Sequence, residues 1–339
     1  MNPVSSEIRQ WRNVDRRLFE TEILPAGEPA VLKGVAGAWP LVQRRADSPS
    51  STVEFLRSAN PATQVEWLAG EPQIHGRFFY NETMTGVNFR RVRGTFSEEL
   101  AALSKNLDAA APSAVSLQAL PMSVHLPTLD GAHRLDLLPA EVRATTWIGN
   151  ALTVAAHFDF NDNIACVAAG RRRFVLFPPQ QIENLYIGPL EFTPLGVPIS
   201  LVDVFNPDLL RYPRFAAAAA AAQVAELEAG DAIFIPYMWW HSVRSLAPFN
   251  ILVNYWWNNA RQPVIAPFHC LLHSLVAIAS LPRQQRNVWQ SFFDHLVFQT
   301  HGDPAEHIPR ERRGVLGKLT PEQVVQFTAV VAQLLSGSR

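Results

Sequence analysis

"TVAAHFDFND", residues 153–162, sets a histidine and an aspartate two positions apart in an otherwise apolar run. In a strand, successive side chains alternate faces, so His157 and Asp159 are expected to point the same way and Phe158 into the opposite layer. One imidazole and one carboxylate side by side suit two ligands of one metal ion. The spacing is common by chance, so a third ligand elsewhere has to decide the matter. "GDAIFIPYMWWH", 230–241, supplies a candidate: a turn at Gly230–Asp231, a short buried strand, two tryptophans and then His241. A histidine after so apolar a run must be hydrogen-bonded, ligating or solvent-facing, because an unpaired buried polar group is costly. Two histidines and one carboxylate on the walls of a β barrel form a facial triad with open positions, which suits non-haem Fe(II). No cysteine joins them, which weakens a zinc reading. The other eight histidines form no comparable set. His133, the pair His269 and His273, and the pair His301 and His307 are expected to be structural or superficial.

The surroundings of these two stretches are β-rich. Between 113 and 257 short runs such as "SAVSLQAL", "TTWIG", "NIACVAAG", "RFVLFPP" and "NILVNYWW" are punctuated by Gly, Pro and Asn, the pattern of an antiparallel sandwich or barrel. Upstream, "PAVLKG" reads as a strand, and "TVEFLRSA" (52–59) and "SEELAALSKNL" (97–107) read as helices, the second capped by Ser97. The alanine run 216–222 predicts a helix, with "QVAELEAGD" leading into a turn. From 263 the periodicity is helical again, and "TPEQVVQFTAVVAQLL" opens with a threonine cap and an early glutamate.

Composition narrows the function classes. A chain of 339 residues, 48% apolar and 17% charged, can bury a large core as one large domain or two small ones. A net charge of −1 argues against general attraction to nucleic acid or an anionic membrane. The basic clusters "FRRVRG" (89–94) and "GRRRF" (170–174) are short, and the first is expected to be a solvated face. Two cysteines, Cys166 and Cys270, rule out a dense disulfide framework and fit a reducing compartment. Cys166 is expected to be a small buried residue. "MNPVSSEIRQWRNVDRR" lacks the apolar core of a signal peptide, and no apolar run reaches the roughly 18 residues of a membrane span. A cytoplasmic protein is expected.

Taken together, "WIGNALTVAAHFDFNDNIACVAAGRRRFVLFPP" (147–179) and "LEAGDAIFIPYMWWHSVRSLAPFNILVNYWW" (227–257) resemble the cupin-like Jumonji-C family of Fe(II)- and 2-oxoglutarate-dependent oxygenases. That group includes the asparaginyl hydroxylase that restrains hypoxia-inducible factor. Weaker similarity runs through "GEPAVLKGVAGAWPL" (27–41) and "SLQALPM" (116–122), so the resemblance covers most of 20–260. It implies a mainly β fold with helices: a double-stranded β-helix, or cupin jelly-roll barrel, with flanking N-terminal helices and a C-terminal helical extension. The corresponding division is a cupin-like domain over 1–262, with an N-terminal flanking segment over 1–112 and a β-helix core over 113–262, and a helical region over 263–339. The resemblance further implies that His157, Asp159 and His241 hold Fe(II). By the same token, 2-oxoglutarate chelates the iron, is decarboxylated to succinate, and a substrate C–H bond is hydroxylated. The substrate is expected to be a peptide or protein side chain or an aromatic small molecule.

The family's co-substrate pocket is altered here. Many relatives carry a lysine fifteen residues past the first ligand, where this chain has Arg172; the charge is kept, in a longer, planar group. A tyrosine two residues before Gln118 is replaced by Ser116, and a threonine three before the first ligand by Val154, with Thr153 displaced by one. Ser116, Gln118, Asn163, Asn254 and Arg172 are the expected co-substrate contacts. Of the tryptophans, Trp239, Trp240 and Trp256 are candidates for the substrate wall, with one of each adjacent pair, 239/240 and 256/257, expected to face outward. The altered pocket also admits a second reading, a non-catalytic cupin-type protein that binds or senses iron or another ligand. The apolar faces of the C-terminal helices, with Leu271, Leu275, Phe292 and Leu296 among others, suggest a homodimer.

Overall fold

The computed structural model describes residues 6–44, 48–60, 62–258 and 266–337. The chain divides into two compact units between 258 and 259. The boundary expected after 262 lies outside the described residues.

Eight strands between 144 and 257 build the first unit's barrel. Ala144–Gly149, Asn250–Trp257, Asp162–Ala169 and Ala232–Ile235 are neighbours in one sheet. Thr153–His157, Trp240–Ser245, Arg171–Phe177 and Gln223–Glu228 are neighbours in the other. All these pairings are antiparallel, and along the chain the strands alternate between the two sheets except for Arg171–Phe177 and Gln223–Glu228, which are consecutive and pair side by side in the smaller sheet. That winding is the jelly roll, the double-stranded β-helix expected from the sequence.

Core placement explains why several strands read as continuous apolar runs rather than alternating ones. Asn250–Trp257 is covered on both faces. Ile251, Val253 and Tyr255 join an outer core with Leu56, Phe96 and Leu100. Leu252 joins the inter-sheet core with Phe174, Ile233 and Val243. A third cluster, Phe158, Phe177, Leu185, Phe215 and Trp240, covers the outside of the smaller sheet with the segment between 178 and 222.

The larger sheet runs on beyond the barrel. Ala114–Pro121, Gln64–Gly70 and Arg90–Thr95 extend it on one side, and Ala30–Lys33 and Gln10–Arg12 on the other. The strand Arg90–Thr95 is "RRVRGT", so the cluster expected to be a solvated face is a sheet edge. Its charges hide the strand, since an edge strand need not be apolar. Gln223–Glu228 is likewise a strand and not the approach to a turn, because it pairs along the whole of Arg171–Leu176. The helix Phe96–Ser104 is capped by Thr95 and not by Ser97. Thr95 Oγ1 accepts from Glu98 N (3.3 Å) while the Glu98 carboxylate accepts from Thr95 N (2.7 Å), a reciprocal capping box.

The second unit contains the helices Pro267–Ala277, Arg283–Phe292 and Pro321–Gly337. The last begins with Thr320, whose hydroxyl accepts from Gln323 N (3.3 Å). Val276, Trp289, Phe292, Val297 and Leu334 are exposed. Among the described residues no helix is long and apolar enough to cross a membrane.

Candidate metal centre

His157 and His241 end up adjacent because their strands are antiparallel neighbours that pair these two residues directly. Their ring centroids are 4.1 Å apart. Asp159 approaches differently from the expectation of one continuous strand. The strand stops at His157, and Asp159 sits in the turn leading to Asp162–Ala169. The turn still delivers it to the same side, and one ligand atom from each of the three residues lies within 4.8 Å of the others. Phe158 goes the opposite way, packing on Trp240 with centroids 4.7 Å apart.

Hydrogen bonds fix which imidazole nitrogen faces the centre. His157 Nδ1 lies 2.9 Å from the Ala155 carbonyl oxygen, and His241 Nδ1 lies 3.0 Å from that of Trp239. A carbonyl only accepts, so each Nδ1 carries the proton and each Nε2 keeps its lone pair for an ion. Burial holds the His241 imidazole well below its ordinary range; the neighbouring His157 acts in the same sense and Asp159 against it. The neutral ring is the ligating form. Asp159 Oδ2 accepts from Trp256 Nε1 at 3.1 Å and stands 3.7 Å from His241 Nε2. Asn163 Nδ2 is 3.5 Å from the same oxygen, and Asn254 Nδ2 donates to Asn163 Oδ1 at 2.9 Å.

These groups line one end of a cavity of about 220 Å³ between the sheets. Arg172 lines it as well and is 7% exposed, whereas Arg171 and Arg173, on the opposite face of the strand, are exposed. Among the described residues Arg172 Nε has no hydrogen-bond partner, nor have the cavity atoms Asn254 Oδ1 and Trp147 Nε1. Burial pushes the Arg172 guanidinium down to about 10. A buried cation without a partner is strongly unfavourable. The site therefore fits a small anion with a metal-chelating end: two nitrogens and one carboxylate for Fe(II), and a buried guanidinium for a carboxylate. Val154, Ile235, Val243 and Leu252 supply apolar wall.

Gln118, Asn163, Asn254 and Trp256 line the cavity with the triad and Arg172. Ser116 does not. It lies opposite Leu68 and Gly149, further along its strand than the cavity reaches. Trp239 and Trp240 also miss the cavity. Trp240 immediately precedes His241, so alternation turns it into the outer cluster. Trp239 packs between the sheets beside Ile8 and Val31, and its Nε1 donates to Gly27 O (3.2 Å). The pair 256/257 does divide, with Trp257 stacked on Phe234 outside the barrel. The wall tryptophan that sequence reasoning passed over is Trp147, edge-on to Trp256 with centroids 6.0 Å apart. "TTWIG" announced a strand but not its orientation, which the pairing of Trp147 with Leu252 sets. Leu195 and Val197, from the long connection after 178, carried no signal.

Residues 16–262 match the family described as Cupin-like domain. The chain is 33% identical to Lysine-specific demethylase JMJ31 of Arabidopsis thaliana over 150 residues, 43% of this chain and 25% of that protein. It is 37% identical to tRNA wybutosine-synthesizing protein 5 of Gallus gallus over 108 residues, 32% of this chain and 31% of that protein. Over 249 residues, 70% of this chain, it is 26% identical to Jumonji C domain-containing protein 5 of Drosophila melanogaster, covering 57% of it. The first two matches thus span about a quarter to a third of those relatives.

Proposed function

This chain belongs to the cupin-like domain family, and on that premise we propose that it is an Fe(II)- and 2-oxoglutarate-dependent oxygenase that hydroxylates a side chain of a peptide or protein. The observation that carries the reading is the buried Arg172 guanidinium, whose Nε has no hydrogen-bond partner among the described residues, in the same cavity as His157, Asp159 and His241. When bound, Fe(II) and 2-oxoglutarate couple reduction of dioxygen and decarboxylation of the oxoacid to insertion of one oxygen atom into a C–H bond. The residues of this chain have simpler tasks. His157, Asp159 and His241 hold the metal, with Trp256 fixing the carboxylate. Arg172 takes the far carboxylate of the oxoacid in a bidentate pair. Trp147, Trp256 and the aliphatic wall exclude water, which strengthens every charge interaction inside.

The relatives differ in what their names say they act on, a lysine in one and a tRNA in another. The net charge of −1 favours a peptide over a nucleic acid for this chain. An aromatic small molecule is the alternative that the tryptophan-lined cavity accommodates. We extend the proposal to a cytoplasmic homodimer, joined through the exposed apolar residues of the C-terminal helices.

Anaerobic visible spectroscopy tests the core of the reading. Metal-free protein is titrated with Fe(II) and then 2-oxoglutarate, with His157→Ala as control. A charge-transfer band that needs both additions and an intact His157 is the expected result. Iron binding without the band removes the oxygenase assignment and leaves a metal-binding cupin.

A further inference from the structure

The cavity has a neighbouring space on the side of the extended sheet. A surface groove of about 390 Å³ shares Gln118 and Ala119 with it and is lined beyond them by Glu66, Arg91 and Arg93. The junction is a β-bulge: the pairing of Ala114–Pro121 with Ala144–Gly149 shifts between Leu117 and Leu120, and Ala119 takes a left-handed φ of 53°. Bulges of this kind re-aim side chains beside functional sites. Gln118 lines both spaces and so stands between them.

Strand register ties the groove to the cavity. Residues directly opposite on antiparallel strands share a face. Arg91 opposes Leu68 and Arg93 opposes Glu66, while Leu68 opposes Ser116 and Ser116 opposes Gly149. Gly149 is followed across the next strand by Asn250, on the face that carries Leu252, Asn254 and Trp256. One continuous sheet face thus runs from the metal centre out to the two arginines. Arg90 and Val92 lie on the other face, in a separate depression.

Glu66 holds both arginines. Arg91 Nη1 donates to Oε1 and Arg93 Nε donates to Oε2, each at 3.0 Å. These two bonds keep the Glu66 carboxyl below its usual range. One carboxylate against two guanidiniums leaves a net positive charge, and each fork keeps most of its five N–H donors free. Guarding the free sheet edge accounts for charge on this strand. It does not account for a pair pre-arranged on the one face that leads into the cavity.

We propose that this groove is the substrate-recognition site and that it takes an extended peptide bearing an acidic side chain, bound by Arg91 and Arg93. The assignment rests on the oxygenase reading of the cavity. A single excess positive charge suits one carboxylate and is too little for a polyphosphate backbone, which is held by many cations at once. The spacing follows from the sheet. Four inter-strand steps separate Asn250–Trp257 from Arg90–Thr95, about 19 Å at roughly 4.8 Å each. An extended peptide covers that distance in about six residues at roughly 3.3 Å per residue, so the acidic residue stands about six positions from the hydroxylated one.

Fluorescence anisotropy with the full chain tests this. The probes are a fluorescein-labelled glycine–serine peptide carrying neighbouring aspartate and glutamate, its asparagine–glutamine isostere, and an oligouridine RNA. The acidic peptide is expected to bind about tenfold more tightly than the isostere. The double variant Arg91→Gln/Arg93→Gln erases that difference, and Arg90→Gln, the same kind of charge change on the opposite face, preserves it. Equal binding of acid and amide, equal losses in the Arg90 variant, or a preference for the RNA overturns the proposal. The same preparations are tested for the Fe(II)–2-oxoglutarate band. A band without acidic preference removes the groove assignment alone; acidic preference without a band removes the oxygenase reading alone.

Discussion

Replacing Arg172 by methionine separates stability from ligand binding because the two effects have opposite signs. Burial pushes the guanidinium down to about 10. Holding that charge inside the ligand-free protein at neutral pH therefore disfavours the fold by roughly 3 kcal/mol, at about 1.4 kcal/mol for each tenfold change in proton affinity. Methionine fills similar space without the charge, so the ligand-free Arg172→Met protein is expected to be more stable than the parent by about 1–3 kcal/mol. Binding moves the other way. A bidentate guanidinium–carboxylate pair comprises two charge-assisted bonds of about 1.5–3 kcal/mol each. Even at the lower end their loss weakens 2-oxoglutarate binding by about a hundredfold, while Fe(II) binding to the triad is unchanged. Urea melts of the metal-free proteins read the first effect, and titration of the charge-transfer band reads the second. Arg172→Lys keeps the charge but loses the fork and should fall between. A methionine variant that is less stable than the parent and binds 2-oxoglutarate equally well refutes the assignment of Arg172 as an unpartnered anion anchor.

Three further outcomes are expected. Trp256→Phe removes the indole donor to Asp159 and should lower Fe(II) affinity about 10–100-fold, measured by competition with a chromophoric chelator, with little change in fold. Glu99 is fully buried, its carboxylate oxygens have no hydrogen-bond partner among the described residues, and desolvation raises it well above the ordinary carboxyl range. The folded protein thus keeps a proton that the unfolded chain loses above about 4.5, so this stability is complete below that pH and lost as pH rises towards the folded-state value. Urea midpoints should show Glu99→Met more stable than the parent at neutral pH, with the gain shrinking towards pH 4; a gain independent of pH contradicts the raised carboxyl. Light scattering should find a dimer that Trp289→Glu with Phe292→Glu converts to monomer, and a parent protein that is already monomeric ends the dimer proposal.

The barrel and the cluster of His157, Asp159 and His241 were legible because each depends on local signals. Strand-length apolar runs between turn residues mark the sheets, and His157, Asp159 and His241 stand out as polar groups within them. Arg172 was legible through alternation, which turns Arg171 and Arg173 outward once the strand is given. What escaped depends on pairing partners that no local pattern names. Trp147 lines the cavity only because its strand is placed beside Asn250–Trp257, and Ser116 misses it only because its register carries it to Leu68. The edge strand Arg90–Thr95 reads as solvated charge because it is exposed; its meaning comes from Glu66 on the neighbouring strand. Asp159 is the instructive mixed case. Strand alternation predicted its direction, yet a turn produces it.

On the proposed reading of the cavity, its geometry also constrains which oxoacid fits. Arg172 pairs with Ser245 and Leu176 pairs with His241 on the same neighbouring strand, so the backbones of Arg172 and of the residue opposite His241 lie four residues apart, about 13 Å at roughly 3.3 Å per residue. An arginine leaning along the strand closes about half of that distance, with bonds of about 1.5 Å along its side chain. The gap left, on the order of 6 Å, is the span of a five-carbon diacid, and a three-carbon oxoacid chelating the same metal falls short of the guanidinium. With Val154 in the wall and Ser116 outside it, no second guanidinium or ammonium among the described residues lines the cavity to hold a shorter acid's far end. Pyruvate in place of 2-oxoglutarate should therefore give no charge-transfer band at concentrations that saturate the band with 2-oxoglutarate, in the parent and in Arg172→Met alike. A band of equal affinity with pyruvate in the parent would mean that Arg172 spans less of the cavity than its strand position dictates, and that chelation at the triad proceeds without it.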